Sequence, residues 1–167
     1  MKTKISDIQL KYGQWFGLLA RLILGGVLFA AGWLKLFTPA KSQMAVRAYE
    51  VLPISLANFL GIILPWLEVA VGLLLILGIA IRICSIIGGG LMALFIVAIA
   101  QAWARGLSID CGCFGGGGTV EPGQTKYLSE IIRDAGLTLL ALYLIRYPVT
   151  RWALEKVSAK TSQTEKE

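Results

Sequence analysis

Four apolar stretches, each roughly 20 residues or longer, constrain this chain more than any other feature. They run from about Trp15 to Leu36, Leu56 to Ile81, Ile83 to Trp103 and Tyr127 to Tyr147. At about 1.5 Å of rise per residue, each helix would cross a hydrocarbon core about 30 Å thick. In lipid a spanning segment must satisfy its own backbone polar groups, so these stretches should be helices. Helices of a soluble bundle keep a polar face, and the second and third stretches show almost none. The chain is 56% apolar and 16% charged, against roughly 45–50% and about 25% in ordinary soluble domains. The prediction is an all-α integral membrane protein: a four-transmembrane-helix bundle over residues 15–147. Residues 1–14 form an N-terminal arm and 148–167 a polar tail. The first apolar run exceeds a signal-peptide core of about 7–15 residues, and Lys35 and Pro39 follow it without a small-residue cleavage pattern. It is therefore read as a retained span.

Basic residues set the expected orientation. Lys2, Lys4 and Lys11 precede the first span; Arg146, Arg151, Lys156, Lys160 and Lys166 follow the last. An even number of spans puts both ends on one side, and the positive-inside bias makes that side cytoplasmic. A short turn at Arg82 joins the middle spans there. The net charge of +6 is dispersed over ends and turns, which argues against a nucleic-acid surface. The tail SAKTSQTEKE has no apolar periodicity and is expected to be disordered.

Between the first two spans, Met44, Ala48, Val51 and Leu52 fall at helical spacing, with Lys41, Arg47 and Glu50 opposite. This predicts a short amphipathic helix on the outer leaflet surface, ended by Pro53. Small residues in the spans (Gly25, Gly26, Ala30 and Ala31; Gly61, Gly72 and Gly78; Gly88 to Gly90) predict close helix packing. Trp33, Trp66 and Trp103 suit interface anchors.

The loop from Arg105 to Tyr127 carries the chemistry. The chain contains no histidine, which excludes His-ligated zinc or haem and Ser-His or Cys-His catalysis within it. Its three cysteines are too few for a disulfide-stapled scaffold. Cys111 and Cys113 flank Gly112, and Gly115 to Gly118 follow Phe114. Gly112 eases the tight turn that a Cys-x-Cys disulfide needs, and exposed strained disulfides tend to be the exchangeable ones. The glycine run would let a partner backbone approach or let the loop fold back over the bundle. Three readings of these residues stand: a structural pair or free thiols, a metal site short of ligands, and a redox-active dithiol. Arg105 and Lys126 flank the loop and could favour thiolate. Cys84 lies in an apolar span and reads as a small core residue.

Glu68 falls near the middle of the second span, where a carboxylate costs roughly 2.5–3.5 kcal/mol on insertion scales unless paired. Glu130, Arg133 and Asp134 enter the fourth span, and Arg21 and Lys35 occupy the first. Counted from the outer ends, Glu68 lies about four residues deeper than Arg133, or roughly 6 Å. An arginine reaches that far. The expectation is a Glu68–Arg133 ion pair, or else a proton or quinone site beneath the cysteine loop that also includes Asp134.

Five segments in order carry a family likeness: GWLKLFTP (Gly32 to Pro39), YEVLP (Tyr49 to Pro53), PWLEVAVG (Pro65 to Gly72), DCGCFG (Asp110 to Gly115) and YLSEIIRD (Tyr127 to Asp134). With four spans they resemble the methylamine-utilisation protein MauE family within the DoxX-like membrane proteins. The likeness covers roughly Trp15 to Tyr147. It implies a bacterial plasma-membrane protein with a role in thiol–disulfide handling outside the cytoplasm, with a thioredoxin-like partner. In the methylamine system that role supports maturation of a disulfide-rich dehydrogenase subunit. By this resemblance Cys111 and Cys113 are the reacting residues, supported by Gly112, Phe114 and Gly115, and electrons could pass to a quinone. Quinone-linked four-helix disulfide oxidoreductases differ in carrying Cys-x-x-Cys and usually more cysteines. The competing reading is a non-catalytic scaffold subunit of a larger membrane complex.

Overall fold

The computed structural model describes residues 2–110, 112, 116–121, 123–148, 150 and 153, with side chains from residue 13 onward. It contains α1 (Lys2–Leu36), α2 (Pro39–Ala48), α3 (Ile54–Leu77), α4 (Ile81–Ala104), β1 (Ile109–Asp110), β2 (Gly118–Thr119) and α5 (Tyr127–Arg146). Among the described residues three helical segments are long and apolar enough to cross a membrane: Gly13–Leu36, Ile54–Leu77 and Ile81–Ala104. The helix α5 is 20 residues long, but Glu130, Arg133 and Asp134 charge its first half. The chain is thus a multi-pass helical membrane protein. Surfaces of Phe59, Trp66, Leu94, Val97 and Leu139 stay well exposed, as lipid-facing side chains should be.

The four long helices form a ring. α1 packs most closely on α3, α4 on α5, and the pairs close through α1–α5 and α3–α4. Gly25 faces Gly72 and Gly32 faces Pro65, so α1 and α3 run antiparallel. This seam admits no side chain: a Cβ on Gly72 would lie 2.5 Å from the Phe29 backbone nitrogen. Such close backbone approach is how helices associate where lipid removes any hydrophobic drive. Gly26 and Gly90, in contrast, face open space and take no part in packing. Leu24, Leu28, Leu75, Ala141 and Leu144 fill the shared core, which also buries Cys84.

Element boundaries differ from the sequence expectation at two turns. α3 ends at Leu77 because Gly78 takes a left-handed φ of 74° and donates to Leu74 O and Leu75 O. This is the glycine stop common at helix C-termini. α4 then starts at Ile81, two residues before the expected position. The helix α2 ends at Ala48, so Val51 and Leu52 lie beyond it, and the face it buries is Ser42 and Ala45. Met44, expected on the apolar face, is half exposed. α2 packs on α3 and β2.

At the opposite end, the α1 helix starts at Lys2 rather than near Trp15. Two tail residues also pack: Thr150 and Ala153 are buried, and the Arg21 guanidinium donates to Thr150 Oγ1 at 3.1 Å. The rest of the expected disordered tail lies outside the described residues.

Candidate functional site

The segment between α4 and α5 is built on a paired hairpin base. Leu107 N donates back to Ala102 O, so the chain leaves α4 in a tight turn. β1 and β2 then pair antiparallel, with Ile109 opposite Thr119 and Asp110 opposite Gly118. Between the strands, the structure describes Gly112, Gly116 and Gly117 at the tip. Tyr127, the first residue of α5, fixes its base: the hydroxyl accepts from Ile109 N at 3.0 Å and donates to Leu107 O at 2.5 Å. The ring is buried with Ile99, Ala102 and Ile109 in a small apolar cluster. Sequence reasoning did not single out Tyr127; its only signal was its place at the head of the YLSEIIRD segment.

The described part of the tip, Gly112 and Gly117, lies back against the bundle, one of the two outcomes expected of the glycine run. Its seat is Ala45 of α2. A Cβ added at Gly112 would lie 2.7 Å from Ala45 Cβ, and one at Gly117 would lie 2.5 Å from it. Gly112 and Gly117 also hold φ values of 70° and 125°, which side-chain-bearing residues rarely adopt. Asp110 Oδ1 accepts from Gly112 N at 3.1 Å, and the same carboxylate occupies the space a Gly116 side chain would need. Cys111, Cys113, Phe114 and Gly115 lie outside the described residues. Of the predicted loop group the structure describes Gly112, the residue between the two cysteines.

Arg105 and Lys126 were expected to act on the thiols. Arg105 is engaged elsewhere: its guanidinium donates to Tyr49 O at 3.1 Å and to Glu50 at 3.2 Å. With Gln101, which donates to Tyr49 O at 3.3 Å, it ties the exit of α2 to the end of α4. Lys126 is the exposed residue that precedes α5.

Below the hairpin, ionisable side chains from three helices meet in one cleft. Glu68 pairs with Lys35 rather than with the expected Arg133: the Lys35 ammonium donates to both Glu68 oxygens, at 2.9 and 3.0 Å. The reason is register. Gly32 brings α1 against Glu68 Cβ, and Lys35 lies one helical turn on, on the same face. Arg133 Nε donates to Asp134 Oδ1 at 2.8 Å. Lys35, Glu68, Arg133 and Asp134 all line the cleft, walled by apolar residues and the Phe95 ring, 5.6 Å from the Lys35 ammonium. Asp134 Oδ2 is buried without a hydrogen-bond partner among the described residues. The free space is about 10 Å³, close to the least that holds one water.

The family model described as methylamine utilisation protein MauE matches residues 13–147, which takes in the helices, the hairpin and the cleft. The chain belongs to the MauE family. A methylamine utilization protein MauE from Methylorubrum extorquens is 39% identical over 102 residues, covering 59% of this chain and 52% of that protein. The chain therefore spans about half the length of this MauE relative. No solved structure matches the chain.

Proposed function

We propose that this MauE-family chain is the membrane component of an extracytoplasmic thiol–disulfide pathway, in which Cys111 and Cys113 exchange disulfides with a thioredoxin-like partner. The observation that carries this reading is the hairpin: its paired base and Ala45 seat hold Gly112, the residue between the cysteines, at the tip of an anchored loop. α5 completes the bundle as a fourth span, its charged first half shielded by pairing, with both termini cytoplasmic and the loop outside. The relative's name points to methylamine utilisation as the biological setting. Within it, the proposed role is maturation of a disulfide-containing client.

A thiolate from one cysteine attacks a sulfur of the partner's disulfide, forming a mixed disulfide and releasing the partner's other sulfur as thiolate. The second cysteine, once deprotonated, attacks its neighbour's sulfur in that mixed bond. The Cys111–Cys113 disulfide closes and the partner leaves reduced. Two electrons pass to the partner, and the two protons lost by the chain's thiols equal those its thiolates take up. The reverse sequence oxidises the partner. A lipid-soluble quinone is the electron acceptor that would reoxidise the pair from the membrane. Trapping the mixed disulfide with single Cys→Ser variants tests the reading.

A further inference from the structure

Local structure explains only part of the loop's shape. The hairpin pairing and the Asp110 carboxylate act from within the segment. Ala45 does not: it belongs to α2, more than 60 residues earlier in the chain. Its side chain is nearly buried, at 6% exposure, and both limbs of the loop converge on it. The first limb contributes Gly112 and the second Gly117, and these two glycines also crowd each other: a Gly112 Cβ would lie 3.3 Å from Gly117 Cα. Met44 extends the seat, its sulfur 3.0 Å from where a Gly118 Cβ would stand. α2 is itself fixed, since Gly61 of α3 lies against the Gln43 backbone and Gln43 donates to Asn58 O.

We propose that Ala45 is a positioning residue for the Cys111–Cys113 pair: its methyl group seats the glycine between the cysteines, so side-chain volume at position 45 sets how readily the pair closes. This rests on the thiol–disulfide reading of the loop. A larger side chain at 45 has no space to enter without lifting Gly112 and Gly117 together. Removing the methyl leaves the loop its hairpin base but not its seat. Both changes should make the closed pair less favourable, without touching the membrane core.

The test uses the full chain in detergent, equilibrated with mixtures of oxidised and reduced dithiothreitol, with thiols alkylated and located by peptide mass mapping. Ala45→Leu should keep folded yield and helix content, while the equilibrium constant for closing Cys111–Cys113 falls by about tenfold, or roughly 30 mV. Ala45→Gly should lower it by about threefold, and Ala45→Ser should restore a value near that of the native chain. Gly117→Ala, which crowds the seat from the other side, should shift the constant in the same direction as Ala45→Leu. If Ala45→Leu does not fold, Ala45→Gly and Ala45→Ser decide. Folded variants with an unchanged or higher constant overturn the proposal. A native chain that closes no disulfide in any mixture would sink the redox reading instead. The ratio of alkylation rates at Cys111 and Cys113 would then test the seat: altered by Ala45→Leu if it positions the pair, unchanged if it does not.

Discussion

The Lys35 ammonium bridges both carboxylate oxygens of Glu68, at 2.9 and 3.0 Å, inside the bundle. Glu68 is 1% exposed and Lys35 8%. The pair neutralises a charge in the second spanning helix and ties it to the first. Both residues lie on the α1–α3 seam, beside Gly32 and Pro65, so charge pairing and close backbone packing reinforce each other.

Breaking one side of this pair strands a buried charge. Lys35→Met is expected to cost about 3–5 kcal/mol of stability. The double variant Lys35→Met/Glu68→Met should recover much of that loss, because replacing both charges with well-packed apolar groups is often neutral. Unfolding in a detergent titration compares the native chain, Lys35→Met, Glu68→Met and the double variant, and strictly additive losses would contradict the pairing.

Packing along the same seam gives a sharper contrast. Gly72→Ala puts a Cβ 2.5 Å from Phe29 N and should destabilise the fold by about 1–3 kcal/mol. Gly26→Ala, where nothing lies within 4 Å, should stay within about 0.5 kcal/mol of the native chain. Thermal unfolding of the two variants, side by side, checks the prediction.

The hairpin base depends on one hydroxyl. Tyr127→Phe removes the bond to Leu107 O and leaves Ile109 N–H without its acceptor, at a cost of about 1–3 kcal/mol. Hydrogen exchange at Ile109 should accelerate, while amides in the middle of α4 keep their protection. Unchanged exchange at Ile109 would show that the base is held by other means.

The helices were legible because apolar length and lipid physics leave one backbone solution. Their ends were less so: Gly78 stops α3 through a left-handed cap, which an apolar run hides. The charged residues of the cleft were visible singly, yet their pairing was not. Counting depth from the outer ends favoured Arg133 for Glu68, whereas the helix face selects Lys35 through Gly32. The glycine run was legible as a place of close approach, but its seat was not. Ala45 is an ordinary residue in an amphipathic segment, and only the tertiary fold brings it beneath Gly112 and Gly117. Tyr127 escaped notice for the same reason, since its partners Leu107 and Ile109 lie across a loop.

Orientation can be read with a membrane-impermeant maleimide on intact, reduced cells. A variant keeping only Cys111 should be labelled, and one whose single cysteine replaces Ser162 in the tail should react only after permeabilisation. The opposite pattern would invert the topology.

Exchange at the Cys-Gly-Cys tip is tested most directly by trapping the mixed disulfide. Cys111→Ser and Cys113→Ser are each expressed in cells that contain the native partner, then acid-quenched, alkylated and resolved without reductant. One of them should accumulate a covalent adduct that reductant abolishes, because the cysteine that would resolve the intermediate is gone. The double variant should form none and lose activity in the cell. If neither single variant forms an adduct and the double variant keeps full activity, the two cysteines take no part in exchange and the account of this loop is wrong.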